Sequence, residues 1–221
     1  MLEARGRIVV TTEIDLSWGE DIVERLVRVL EESPATDLVI ASPHLRGGGY
    51  QNVPLHRVWL SRLGNRLIRL LLPGAVTMNT GMTRAYRREA IASMPLAEEE
   101  KTLHLEVILK AHHFGFRVAE IPSVLTWKTA EQRGARQNPA RLLRVITSHL
   151  RYVLMAGAAQ VCIILGVLML AFSVAKRGWA VAAAVFLVLG IAAHARIRAQ
   201  RREWDTQRAE LKRSMPHNTR A

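Results

Sequence analysis

Cysteine is almost absent: the 221 residues hold one, Cys162, inside an apolar run. No intramolecular disulfide can form, so nothing opposes a cytoplasmic setting for the soluble part. Acids are also short. Nineteen Asp and Glu stand against 31 Lys and Arg, for a net charge of +12. A balance that basic points to an anionic partner, either lipid or nucleic acid. Much of the excess flanks apolar segments, which favours lipid, and no nucleic-acid-binding motif accompanies it. Internal repeats and low-complexity tracts are missing. The short polar stretch from Met1 to Arg7 is not expected to be a leader peptide. The length allows one soluble domain plus an appendage.

Ile8-Val9-Val10-Thr11-Thr12-Glu13-Ile14-Asp15-Leu16-Ser17 organises what is there. Its first part is a short β-branched run after Gly6, which predicts a buried strand. Glu13 and Asp15 follow, one residue apart. In open α/β sheets ligands bind beyond the carboxyl ends of the strands. Two carboxylates there suit a hard cation such as Mg²⁺ or Mn²⁺, and through it a diphosphate. The plainer alternative is an acidic turn whose Asp15 or Ser17 caps the next helix.

Glu20 to Glu32 is predicted as an amphipathic helix with Ile22, Val23, Leu26, Val27 and Leu30 on one face, ended by Ser33-Pro34. Asp37 to Ser42 is the next buried strand, and Gly47-Gly48-Gly49 a loop. Leu55 to Leu72 sets Arg57, Arg62, Arg66 and Arg69 at helical spacing against a wide apolar face. Such a helix can lie in a membrane interface or pack on a core with a solvated basic side. Glu98 to Phe114 is predicted as a helix, with Gly115 as its cap and His112-His113 where the helix dipole favours a cation. Arg117 to Pro122 is predicted as an edge strand, because Pro122 cannot serve a central one. A polar, basic linker follows from Thr129 to Asn138.

Two membrane spans are predicted next. Tyr152 to Ala175 is nearly uncharged and long enough for a hydrocarbon core of ~30 Å. Trp179 to Ala195 is shorter and can snorkel its Arg196 end. Arg141, Arg144 and Arg151 precede the pair, and Arg196, Arg198, Arg201 and Arg202 follow it. Positive charge on both flanks places both termini and the soluble domain in the cytoplasm. The membrane expected is the inner (plasma) membrane of the cell envelope.

The order of motifs from Arg5 to about Lys128 resembles the second half of the catalytic domain of family 2 glycosyltransferases. The likeness is to the branch of dolichol-phosphate mannose synthases and polyprenyl-phosphate sugar transferases. It rests on Glu13-Ile14-Asp15-Leu16-Ser17, Gly47-Gly48-Gly49-Tyr50, Ser61-Arg62-Leu63-Gly64-Asn65-Arg66, Thr80 to Arg88, and Leu105 to Ala111. The resemblance implies the C-terminal portion of a GT-A, Rossmann-like α/β domain, followed here by a two-helix transmembrane hairpin. It also implies an inverting transfer from a nucleotide sugar to a polyprenyl phosphate or other lipid acceptor.

By that likeness Glu13 and Asp15 are the metal pair, for Mg²⁺ or Mn²⁺, with Asp15 also counted as catalytic. Arg84 is a candidate phosphate ligand, because its planar fork binds phosphate oxygens bidentately; the alternative is a structural ion pair. Arg133 and Arg136 match a basic acceptor loop that holds the lipid phosphate. Asn79 stands nearest to where relatives carry an acid, and Glu106 matches the family's acid in its helix. A phosphate acceptor is already anionic near neutral pH, so Glu106 is needed as a base only for a hydroxyl acceptor. Two departures stand out: Pro43 replaces the family's Arg, and the acid near Asn79 is gone.

The expected organisation is a partial glycosyltransferase domain at 1–128, a basic linker and juxtamembrane helix at 129–151, transmembrane helices at 152–175 and 179–197, and a fraying basic cytoplasmic tail at 198–221. The nucleotide-binding half that precedes this portion in relatives is missing from the matched region. The function expected is a membrane-anchored glycosyltransferase. The alternative is a truncated, non-catalytic membrane protein, or a subunit whose partner chain or oligomer supplies that half. No nucleic-acid partner is expected.

Overall fold

The computed structural model describes residues 4–14, 17–72, 74–99, 102–127, 147, 149, 161–170 and 179–214. In chain order the elements are β1 (Ile8–Thr11), α1 (Ile22–Glu32), β2 (Leu38–Ser42), β3 (Gly49–Gln51), α2 (Leu55–Leu71), β4 (Arg84–Arg87), α3 (Arg88–Ala92), α4 (Thr102–His113), β5 (Val118–Pro122) and β6 (Val124–Thr126). Two further helices are α5 (Val161–Leu170) and α6 (Trp179–Ser214).

Four strands form one mixed sheet in the order β1-β4-β2-β5. β4 runs antiparallel to both β1 and β2, and β2 is parallel to β5. β1, β2 and β5 therefore all end at the same edge of the sheet. β2 is buried at every position, as its unbroken apolar run predicts for a strand covered on both faces. β5 lies at the margin, as Pro122 requires. β1 differs from expectation: only Val9 is buried. Among the described residues β1 pairs with β4 alone, so its other side has no strand to cover it. β3 and β6 make a separate parallel pair.

α1 buries Ile22, Leu26 and Leu30 at four-residue spacing against the sheet. Each such side chain contributes roughly 1.5–3 kcal/mol of gross hydrophobic stabilisation. The helix begins two residues later than the sequence suggests, with Asp21 at its N-cap and Glu24 as the acid of the first turn. α4 likewise starts late, at Thr102. Gly115 closes the turn after it at φ +72°, a left-handed conformation that suits glycine.

The C-terminal elements depart most from expectation. α6 does not stop near 197. It runs unbroken through Ser214 for 36 residues. Among the described residues it is the one helix long and apolar enough to cross a membrane, by length and composition. α5 covers part of the other expected span and packs closely on α6. A Cβ on Gly166 would lie 3.0 Å from Leu187, and one on Gly190 would lie 3.0 Å from Ile163. Small residues permit such close approach of helices. The rest of the expected hairpin lies outside the described residues.

Candidate functional site

The shared edge where β1, β2 and β5 end is where an α/β sheet presents its ligands. Ser42, Pro43 and His44 leave the end of β2 there, and the loop 76–83 enters β4 beside them. Together with α2 they enclose a cavity of about 350 Å³, lined by Pro43, His44, Leu45, Gly48, Arg62, Asn65, Arg66, Arg69 and Thr77. Arg62, Arg66 and Arg69 fall at i, i+4 and i+7, so one stripe of α2 delivers three guanidinium groups to one opening.

Behind His44, which lines the cavity, stand two hydroxyl side chains. The Tyr50 hydroxyl lies 2.9 Å from Ser61 Oγ and 3.3 Å from His44 Nε2. Burial, followed by Arg62, holds the His44 pKa below its usual value. That shift favours the uncharged imidazole beside the arginines. Burial also raises the Tyr50 phenol. Gly48 brings the chain against the end of β2, where an added Cβ would lie 2.6 Å from the Ser42 carbonyl oxygen. Gly48→Ala is therefore expected to push this loop off β2 and to cost about 1–3 kcal/mol, as overpacking does. A urea-unfolding midpoint on the purified chain checks this.

A buried polar scaffold fixes the loop behind the cavity. The Glu120 carboxylate accepts the Thr77 N–H at 2.8 Å, the Thr77 hydroxyl at 2.6 Å and the Met78 N–H at 3.0 Å. Asn65 accepts the Asn79 N–H at 2.7 Å and donates to the Ser61 carbonyl at 3.0 Å. Asn79 closes its own loop by accepting from the Val76 N–H and donating to the Val76 carbonyl. It is fully buried, so it serves the scaffold and does not line the cavity.

Arg84 belongs to the same scaffold. It is fully buried. Its Nε donates to the Gly81 carbonyl at 2.7 Å, Nη1 to the His104 carbonyl at 3.0 Å, and Nη2 to the Asn79 carbonyl at 2.7 Å. Burial draws its pKa below the ordinary arginine value. With all three nitrogens committed to backbone, the fork that made Arg84 a phosphate candidate faces inward. Glu106 is similarly engaged. It accepts the N–H groups of Ala97 and Glu98 and pairs with Lys110 Nζ at 2.6 Å. Only 3% of it is exposed, which makes it the anchor of the 95–99 segment and a poor candidate for a base.

Glu13 follows β1 at the same edge and accepts the Trp18 indole N–H at 2.9 Å. Asp15, Arg133 and Arg136 lie outside the described residues. No cluster of three metal-ligating side chains occurs among the described residues. A cation that keeps substrate phosphates and water in its shell needs only one or two carboxylates, so the donor set of Glu13 with Asp15 fits one.

Sequence reasoning missed Glu120, which is one acid in an edge strand, and gave Asn65 no role. It placed Arg62, Arg66 and Arg69 on a basic stripe, at a membrane interface or solvated, and assigned them no cavity. The signal for the cavity was their i, i+4, i+7 spacing beside the Ser-Pro-His that ends β2.

The other flank of α2 is apolar and uncovered. Leu55, Trp59, Leu60, Leu63, Leu67 and Leu70 are all exposed, Trp59 at 66% and Leu70 at 76%. They adjoin the arginine stripe on the helical wheel. A contiguous exposed face of this kind marks an interaction surface.

Residues 1–94 match the family described as Glycosyl transferase family 2. A polyprenol monophosphomannose synthase from Mycolicibacterium smegmatis is 32% identical over 121 residues, which is 53% of this chain and 45% of that protein. An undecaprenyl-phosphate mannosyltransferase from Micrococcus luteus is 32% identical over 116 residues, covering 51% and 47%. The chain thus spans about half the length of these curated relatives. Among solved structures, glucosyl-3-phosphoglycerate synthase from Mycobacterium tuberculosis aligns with a TM-score of 0.49 and 19% identity, over 70% of this chain and 51% of that one.

Proposed function

Residues 1–94 match glycosyl transferase family 2, and from that match we propose that the chain takes part in moving a sugar from a nucleotide sugar to a polyprenyl phosphate at the cytoplasmic face of the inner (plasma) membrane. One observation carries this reading: a cavity with three arginines opens beside the exposed apolar flank of α2. A lipid phosphate is the ligand that satisfies both features. Its headgroup suits Arg62, Arg66 and Arg69, which bind phosphate oxygens with charge-assisted hydrogen bonds. Its chain and the surrounding bilayer suit Leu63, Leu67 and Trp59. The relatives reported above are named a polyprenol monophosphomannose synthase and an undecaprenyl-phosphate mannosyltransferase, which agrees in chemistry.

In this reading an acceptor phosphate oxygen attacks the anomeric carbon, and the bond from that carbon to the nucleoside diphosphate breaks. The acceptor oxygen is already anionic near neutral pH, so no general base is required. That agrees with a Glu106 held in backbone and Lys110 bonds. The three arginines orient and screen the acceptor. Glu13 and Asp15 would hold a divalent cation, which would supply neutralisation of the leaving diphosphate. Pro43, where relatives carry Arg, leaves α2 as the source of positive charge. The half of the domain that selects base and sugar lies outside the matched region, so the sugar is unassigned and a second chain or oligomer remains part of the proposal.

The test is transfer of radiolabelled sugar into the organic-extractable lipid fraction, in membranes holding the chain with all that completes it. Arg62→Ala/Arg66→Ala is expected to lower transfer at least about 100-fold, since each lost charge-assisted bond is worth about 1.5–3 kcal/mol. The loss should appear mainly as a raised KM for the lipid. Full activity in that variant removes the cavity from the reaction. Absence of any lipid-linked sugar with the parent chain favours the non-catalytic alternative.

A further inference from the structure

α6 is one unbroken helix, yet its two halves have opposite characters. At 36 residues it is about 54 Å long, while a bilayer core of ~30 Å takes about 20 residues. The first half exposes Val185, Val188, Leu189 and Ile191. The second half is charged and has one buried large side chain, Trp204, at 8% exposure. The turn at the end of α4 covers it.

Trp204 meets the His113 ring edge-on at 5.7 Å, and Lys110 Nζ lies 4.9 Å from the indole centroid. One residue on, Asp205 Oδ1 lies 2.9 Å from His113 Nε2. One helical turn further, the Arg208 guanidinium sits over Phe114 at 4.3 Å and Phe116 at 4.7 Å, and Nη1 donates to the Phe114 carbonyl at 3.3 Å. Positions 204, 205 and 208 share one helix face. They grip three successive features of one corner: the last turn of α4, Phe114, and Phe116 just before β5. Burial draws the Arg208 pKa down from the ordinary value, as expected of a guanidinium pressed between rings.

We propose that the second half of α6 is a strut whose Trp204, Asp205 and Arg208 clasp the α4–β5 corner and so fix the stance of the domain over the bilayer. This rests on the membrane reading given above. With no break in the helix and a three-residue grip at its end, the α2 face and its cavity keep a set height and tilt toward the lipid. Trp204 and Arg208 are positioning residues; they lie on α6 and do not line the cavity.

The experiment uses the full chain in lipid nanodiscs, with Cys162→Ser and spin labels at positions 31 on α1 and 194 on α6. A narrow label-to-label distance distribution is expected, broadened at least twofold by Trp204→Ala/Arg208→Ala and unchanged by Glu210→Ala. A broad distribution in the parent, or a narrow one in the double variant, overturns the strut. A third label at Val188 reports lipid depth: exposure to an aqueous quencher sinks the membrane reading, which is a distinguishable failure. In the complete enzyme the double variant should lose about tenfold in transfer to bilayer-embedded acceptor, an orientation effect, and keep transfer to a water-soluble short-chain acceptor. Equal loss on both acceptors also overturns the proposal.

Discussion

Arg84→Met is expected to destabilise the domain by about 3–5 kcal/mol, the range for breaking a buried charged network. The side chain is wholly buried, and its guanidinium ties together the carbonyls of Gly81, His104 and Asn79. Methionine keeps much of the volume but offers no donor. Three carbonyls then lose their partner in a place water reaches poorly, and each unsatisfied buried group costs about 1–3 kcal/mol. The loop 76–83 would loosen from α4, and the Asn65–Asn79 pairing behind the cavity would go with it. Urea unfolding monitored by tryptophan fluorescence measures the loss. A variant as stable as the parent that instead loses phosphate binding would return Arg84 to the role its residue type suggests.

That contrast shows where sequence reasoning reaches and where it stops. β2 and α1 were legible because burial on both faces, or on one stripe, leaves a periodic signature. α2 was legible too, including the pairing of a basic stripe with an apolar face. The direction a polar side chain faces leaves no such mark. Arg84 is a candidate because its planar fork suits a phosphate, and Glu106 because it matches the family's acid, yet both point into backbone carbonyls and N–H groups. Glu120 was overlooked for the converse reason. It sits in an edge strand with no motif around it, and only the fold brings it to Thr77 and Met78. The charged C-terminal stretch was read as fraying because its many arginines obscure the 3.6-residue seam. Trp204 was the residue that could have revealed it, since a tryptophan on a solvated helix has no reason to be there.

Asp15→Asn carries the largest expected effect on activity: at least about a 1,000-fold loss of sugar transfer, or about 4 kcal/mol of barrier at 1.36 kcal/mol per tenfold. Asparagine keeps the shape and removes the charge. The acidic pair after β1 would then offer one carboxylate in place of two. Glu13 alone is a weak substitute, because one of its oxygens already accepts the Trp18 indole N–H. A hard cation discriminates strongly for anionic oxygen, so affinity for it should fall together with the affinity for a nucleoside diphosphate. Calorimetric titration of nucleoside diphosphate, with and without Mn²⁺, reads that second loss without any turnover. Glu13→Gln should cost less than Asp15→Asn, because its indole bond survives in the amide. The alternative for this stretch, an acidic turn that caps the next helix, expects the reverse pattern: a modest stability change of about 1 kcal/mol and unchanged nucleotide binding. Asp21 occupies the N-cap position of α1 without a side-chain cap bond, and near-normal transfer by Asp15→Asn would remove the metal assignment altogether.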